Sequence, residues 1–216
     1  FENCFKLTHL TLNPYQLQIQ KNAFDNCISL NHLTFSASIL AINQYDYSQI
    51  GKITEITIPQ SVTSIGKNSF FECSSLIKIT IPKSVLLIGS HSFKGCSSLT
   101  QIEIPQTVAS IGSHAFKGCK LLTQISIPSS LVTIHSNLFE DCTSLTDILI
   151  SPSVKSIKSF AFKNCNKLTQ IKIPSSVENI DSNAFEDCSL LVMVELSSSI
   201  NVISSSLFKG CISLKH

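Results

Sequence analysis

The chain has 216 residues, 43% hydrophobic and 14% charged, so it carries enough apolar material for a continuous core and must clothe its surface largely in Ser, Thr, Asn and Gln. A net charge of +2 arises from 16 lysines, no arginine and 14 acids. Without clustered positive charge or arginine forks there is no nucleic-acid footprint. With lysines dispersed among acids, a membrane surface is disfavoured as a partner, and no apolar run approaches the roughly 18–20 residues of a bilayer span.

The chain repeats every 23 residues, placing an aromatic at Phe1, Phe24, Tyr47, Phe70, Phe93, Phe116, Phe139, Phe162, Phe185 and Phe208. A strict period of this length predicts a stacked solenoid of about nine coils, in a single array over residues 1–216. The first coil departs from the pattern: Asn13-Pro14 moves the proline by one place, and Gln16 holds a usual Val position. The second coil has Ser36 where proline is expected, which puts strand geometry there in question. No signal peptide is visible, and neither end shows a polar cap, so the chain reads as a fragment with flanking repeats.

From the third aromatic onward each coil reads alike. Phe70, Cys73, Leu76, Ile79, Ile81, Val85 and Ile88 form the apolar set of one coil. The Ala-Phe-x-x-Cys stretch (Ala115-Phe116, Ala161-Phe162, Ala184-Phe185) is expected to make a helical turn. The residue before each Cys is usually Gly, Asn or Asp, types that tolerate a left-handed backbone, so a tight bend is predicted there. The pattern Leu-x-x-Ile-x-Ile alternates with period two and is rich in β-branched residues, which predicts one short parallel strand per coil. Pro59, Pro82, Pro105, Pro128 and Pro174 then end the strand. Ser61, Ser84, Thr107, Ser130, Ser153 and Ser176 follow two residues later, placed to bond turn backbone and to stack as a ladder. A Val-x-x-Ile segment supplies a second extended stretch.

The run Ile104-Pro105-Gln106-Thr107-Val108-Ala109-Ser110-Ile111-Gly112-Ser113-His114-Ala115-Phe116-Lys117-Gly118-Cys119 resembles the BspA-type leucine-rich repeats of bacterial and parasitic-protist surface proteins. The resemblance covers essentially the whole chain. It implies a right-handed leucine-rich-repeat solenoid, display at the cell surface or secretion, and an adhesive or recognition role. A cytoplasmic scaffold is the alternative compartment.

Nine cysteines invite three chemical readings. Stacked coils would bring neighbouring Cα atoms to about 4.8 Å, but parallel Cβ vectors leave the Cβ atoms too far apart for an ordinary disulfide. No C-x-x-C pair exists, and a straight ladder cannot surround a tetrahedral zinc ion. A catalytic thiol needs one special environment, not nine equivalent ones. A buried packing ladder remains, favoured by Ile50, which stands where Cys would and can only pack.

His91 and His114 share one phase of the repeat, and His9 and His32 another. Stacked pairs could bind metal or sense pH, but Asn68, Asn137 and Asn183 occupy the first phase elsewhere, so a polar surface slot explains it. Glu55, Gln101 and Gln124 do the same for the second. His135 stands where Gly66, Gly89 and Gly112 stand in other coils and calls for no function. No catalytic motif, glycine-rich phosphate loop or N-x-Ser/Thr sequon is present, so an enzyme and a bound cofactor or metal are not expected.

Partner binding is expected on the outward side of the main strand. One row reads His9, His32, Glu55, Lys78, Gln101, Gln124, Asp147, Gln170 and Met193. Its companion reads Thr11, Thr34, Thr57, Thr80, Glu103, Ser126, Leu149, Lys172 and Glu195. Together they predict a two-row face roughly 40 Å long, to which Ile77 and Val192 add apolar surface beside the strand. A protein or glycan is the expected ligand; a spacer with a merely soluble face is the alternative.

Overall fold

The computed structural model describes residues 1–12, 24, 26–36, 41–42 and 52–215. Tyr47, Ile50, Pro14 and Gln16 lie outside them. The chain winds as a parallel β-solenoid with two rows of short strands. The main row holds His9–Leu12, His32–Phe35, Glu55–Thr57, Lys78–Thr80, Gln124–Ser126, Asp147–Leu149, Gln170–Lys172 and Met193–Glu195. Gln101 joins it by a single bridge to Lys78. The second row holds Ala41–Ile42, Ser64–Ile65, Leu87–Ile88, Ser110–Ile111, Thr133–Ile134, Ser156–Ile157 and Asn179–Ile180. Every pairing is parallel and offset by one repeat, as in Ile56 with Ile79 or Ile125 with Ile148.

Among the described residues seven coils carry both rows, fewer than the nine expected. Val202-Ile203, in the phase of the second row, forms no strand. The core is the predicted apolar set repeated: Phe70, Leu76, Val85 and Ile88 are wholly buried, and so are Phe116, Cys119, Leu122 and Ile134. Phe rings stack face to face from Phe70 to Phe208, with centroids 5.2–5.8 Å apart. Each such pair adds about 0.5–1.5 kcal/mol beyond its buried area.

The expected helical turn does not form. Two left-handed residues bracket each repeat Phe from Phe70 to Phe208, such as His91 (φ 58°) and Gly95 (φ 78°), or Asn137 (φ 57°) and Asp141 (φ 62°). Between them the chain makes separate tight turns, as in Lys94 N–H to His91 O and Cys96 N–H to Phe93 O. A right-handed helix cannot pass through two such residues four positions apart. The bend before Cys was legible from its Gly, Asn and Asp residues; Glu72 (φ 55°) adopts it too.

Proline contributes to ending the strand but is not required. Val62 N–H bonds Pro59 O, and the same turn closes at Val154 onto Ser151 O. At Ser151 and Ser197, which stand in proline's place, the hydroxyl accepts the N–H of Ser153 or Ser199 at 3.4 and 3.1 Å. That side-chain bond holds the turn that proline's ring presets elsewhere. In the second coil the strand forms in register despite Ser36 and runs one residue further, to Phe35.

Candidate functional site

The outward strand face is built by alternation. In Glu55–Thr57, Lys78–Thr80, Gln124–Ser126, Asp147–Leu149 and Gln170–Lys172 the central Ile is buried and both flanking residues are exposed. Parallel in-register pairing then lines the flanking residues up: Glu55 beside Lys78, Gln124 beside Asp147, Gln170 beside Met193, Lys172 beside Glu195. Of the predicted face residues, Glu55, Lys78, Gln101, Glu103, Gln124, Asp147, Leu149, Gln170, Lys172 and Glu195 are exposed, and Met193 is half-buried. Leu149 is 69% exposed, an unusual position for a large apolar side chain between Ser126 and Lys172.

Charges on this face meet across coils. His32 Nδ1 lies 3.6 Å from Glu55, Glu55 lies 4.0 Å from Lys78, and Lys172 lies 3.2 Å from Glu195. Thr11 and Thr34 share a 2.8 Å hydroxyl bond. Exposed pairs of this kind contribute about 0–1 kcal/mol each, so the fold does not depend on them. His9 takes a 2.9 Å contact from its neighbour Thr8 and sits 5.1 Å from the His32 ring.

The cysteines do more than pack. All nine thiols are free. Cys96, Cys119, Cys142, Cys165 and Cys188 each donate to the carbonyl of the Phe one coil back, at 3.1–3.3 Å. The same carbonyls take the backbone N–H of their own coil's Cys, as Phe93 O does from Cys96, so both lone pairs of a buried oxygen are satisfied. Burial pushes the Cys96, Cys119, Cys142 and Cys165 thiols well up, which suppresses the reactive thiolate. The serine ladder also exists, but not hydroxyl to hydroxyl. Ser84, Thr107, Ser153 and Ser176 donate at 2.6–3.0 Å to the Val or Leu carbonyl of the coil before, and Ser130 does so to Val108 O.

One feature escaped the sequence reading. Directly after each Phe runs the column Phe71, Lys94, Lys117, Glu140, Lys163, Glu186, Lys209. Glu140 and Glu186 are buried, the latter only 4% exposed. Lys117 reaches Glu140 at 2.7 Å, and Lys163 and Lys209 reach Glu186 at 3.4 and 2.8 Å. The hydrogen bond from Lys209 leads the effects that hold the Glu186 carboxyl below its ordinary range. Reading this column down the repeat, with its lysine–glutamate alternation, would have found the ladder. His91 and His114 likewise do not occupy a merely polar surface slot. That phase is set by its positive φ, and Phe160 (φ 60°) shares it.

No group of three or more His, Cys, Asp or Glu side chains among the described residues is placed to hold a metal ion. No helix among them is long and apolar enough to cross a membrane.

The sequence matches the family described as the BspA type leucine rich repeat region, over residues 1–122 and 87–215. The chain belongs to this family. A leucine-rich repeat protein of T. pallidum is 34% identical, over 81% of this chain and 82% of its own, with a TM-score of 0.73. A leucine-rich repeat protein of Eubacterium ventriosum shares the fold at 24% identity and TM-score 0.76, over 97% of this chain and 60% of its own. A leucine rich cell surface protein of Faecalibacterium prausnitzii does so at 24% identity and TM-score 0.59, over 100% of this chain and 73% of its own. No curated protein sequence matches this BspA-type array. Its family and structural relatives are repeat proteins, not enzymes.

Proposed function

We propose that this BspA-type array is a non-enzymatic recognition module, displayed at the cell surface or secreted, that captures a protein or glycan on its outward strand face. The observation that carries this reading is a contrast of variability. Inward positions repeat the same chemistry coil after coil, while the outward row runs His32, Glu55, Lys78, Gln101, Gln124, Asp147, Gln170 and Met193. Nothing inside the fold requires that variety, and repeat solenoids commonly bind through such a surface. The end bearing Asp147, Leu149, Lys172, Met193 and Glu195 combines charge with exposed apolar groups, the mixture from which interface anchors are made. That one structural relative is a cell surface protein supports the compartment.

The test is a binding screen of the purified array against extracellular-matrix proteins, host cells and glycans, beside a variant carrying Asp147→Lys, Lys172→Glu and Glu195→Lys. Capture by the parent and loss in the variant supports the reading. Equal capture by both overturns the assignment of the face. The in-register pairing and continuous interior ladders also favour a second reading, a stiff spacer within a longer array. Absence of capture by a folded parent supports that one.

A further inference from the structure

On the corner that precedes each Phe, one left-handed residue faces the side chain three places on. In two coils the first is Asn and the second Glu, and they bond: Asn137 Nδ2 donates to Glu140 at 2.6 Å, and Asn183 to Glu186 at 2.9 Å. At His91 and His114 the residue three places on is Lys94 or Lys117. The two imidazoles stack in parallel, centroids 4.5 Å apart and planes 6° apart. The Nδ1 atom of each is buried and has no hydrogen-bond partner.

We propose that the His91–His114 stack is an acid-sensitive breakpoint in the array, where neighbouring coils part below neutral pH while the coils on either side stay stacked. A neutral ring with its proton on Nε2 leaves a bare lone pair on the buried Nδ1, which is tolerable. A second proton must sit on that Nδ1, where no acceptor waits. Two protonated rings would also stand about 4.5 Å apart. Around His91 lie His114, Lys94, Lys67 and Lys117; around His114 lie Lys117, Glu140 and Lys94. The one acid in that set, Glu140, is already held by Lys117 and Asn137. Burial first, then the neighbouring positive groups, hold both imidazoles below their ordinary value.

In an opened coil both rings regain that ordinary value and bind protons that the closed coil refuses. The closed state therefore keeps its full stability above the ordinary histidine pKa and loses it as pH falls from there toward the lowered values. In a quasi-one-dimensional array the loss stays local, and it uncovers Phe93 and Phe116.

Hydrogen exchange, corrected for its intrinsic pH dependence, tests this at about pH 7.5 and 5.5. The reporters are the amides of His91, Phe93 and Gly95, which bond to Ser113, Ala115 and Lys117 of the next coil. Their protection is expected to fall about tenfold or more at the lower pH, while Phe162, bonded to Ala184, holds. The double variant His91→Asn, His114→Asn places the residue that Asn68 and Asn137 use at the same φ, and should lose the pH response. Lys94→Glu keeps both rings, gives them a carboxylate, and should restore protection at the lower pH. By NMR, the His91 and His114 rings should titrate below the ordinary histidine value. Unchanged protection at these three amides, or ordinary titration of both rings, overturns the proposal.

Discussion

Phe116 and Gln124 lie on the same coil, eight residues apart, and answer to different demands. Phe116 is wholly buried between the rings of Phe93 and Phe139, and its carbonyl receives the Cys142 thiol. Gln124 faces solvent beside Asp147 and is asked only not to obstruct the strand. Each inward side chain is fixed by the coil above and the coil below. An outward one meets at most an exposed partner on the next coil, as Lys172 meets Glu195, and the fold does not depend on it. The array thus separates the residues that make the solenoid from those free to choose a partner.

That separation can be broken hardest from the inside. Phe116→Ala should cost about 3–5 kcal/mol as a core cavity. Because coils touch only their neighbours, denaturant unfolding should split into two transitions instead of shifting as one; a single sharp transition would contradict the solenoid account. Next comes the thiol ladder. Cys119→Ala should cost about 1–2 kcal/mol, the loss of a small packed group together with the bond to Phe93 O. In the native protein Cys119 should resist thiol reagents until denaturant is added.

The buried ladder sharpens the comparison through pH. Glu186 is held below its ordinary carboxyl value, first by the hydrogen bond from Lys209. Its contribution is present above the ordinary carboxyl pKa and is lost as pH falls below it. Glu186→Gln should therefore lower the unfolding midpoint near neutrality, and the gap from the parent should close in acid. The smallest effect belongs to the face. Lys172→Glu, which breaks the 3.2 Å pair with Glu195, should change stability by no more than about 0.5 kcal/mol.

The sequence made the inward set legible because burial leaves a periodic apolar trace at Phe70, Cys73, Leu76, Ile79, Ile81, Val85 and Ile88. The bend before Cys was legible from the side chains that tolerate it, such as Gly95, Asp141 and Asn164. The companion bend before Phe was not, because His91, Phe160 and Ser206 do not advertise a left-handed backbone. That hidden second bend is why the expected helical turn breaks into separate turns. The thiol bonds to Phe carbonyls were also out of reach, since they join residues 26 apart through the stacking distance. The face rows were legible from alternation alone, though alternation cannot name what they meet.

The central claim is that recognition belongs to the face and stability to the interior. It is tested most directly by measuring ligand capture and melting together for two charge-reversed proteins. One carries Asp147→Lys, Lys172→Glu and Glu195→Lys on the strand face. The other carries Lys155→Glu and Glu178→Lys, an exposed pair 3.1 Å apart beside the second strand row. The account predicts parent-like melting in both, with capture lost only in the first. Capture retained in the first and lost in the second would place the partner elsewhere and contradict it.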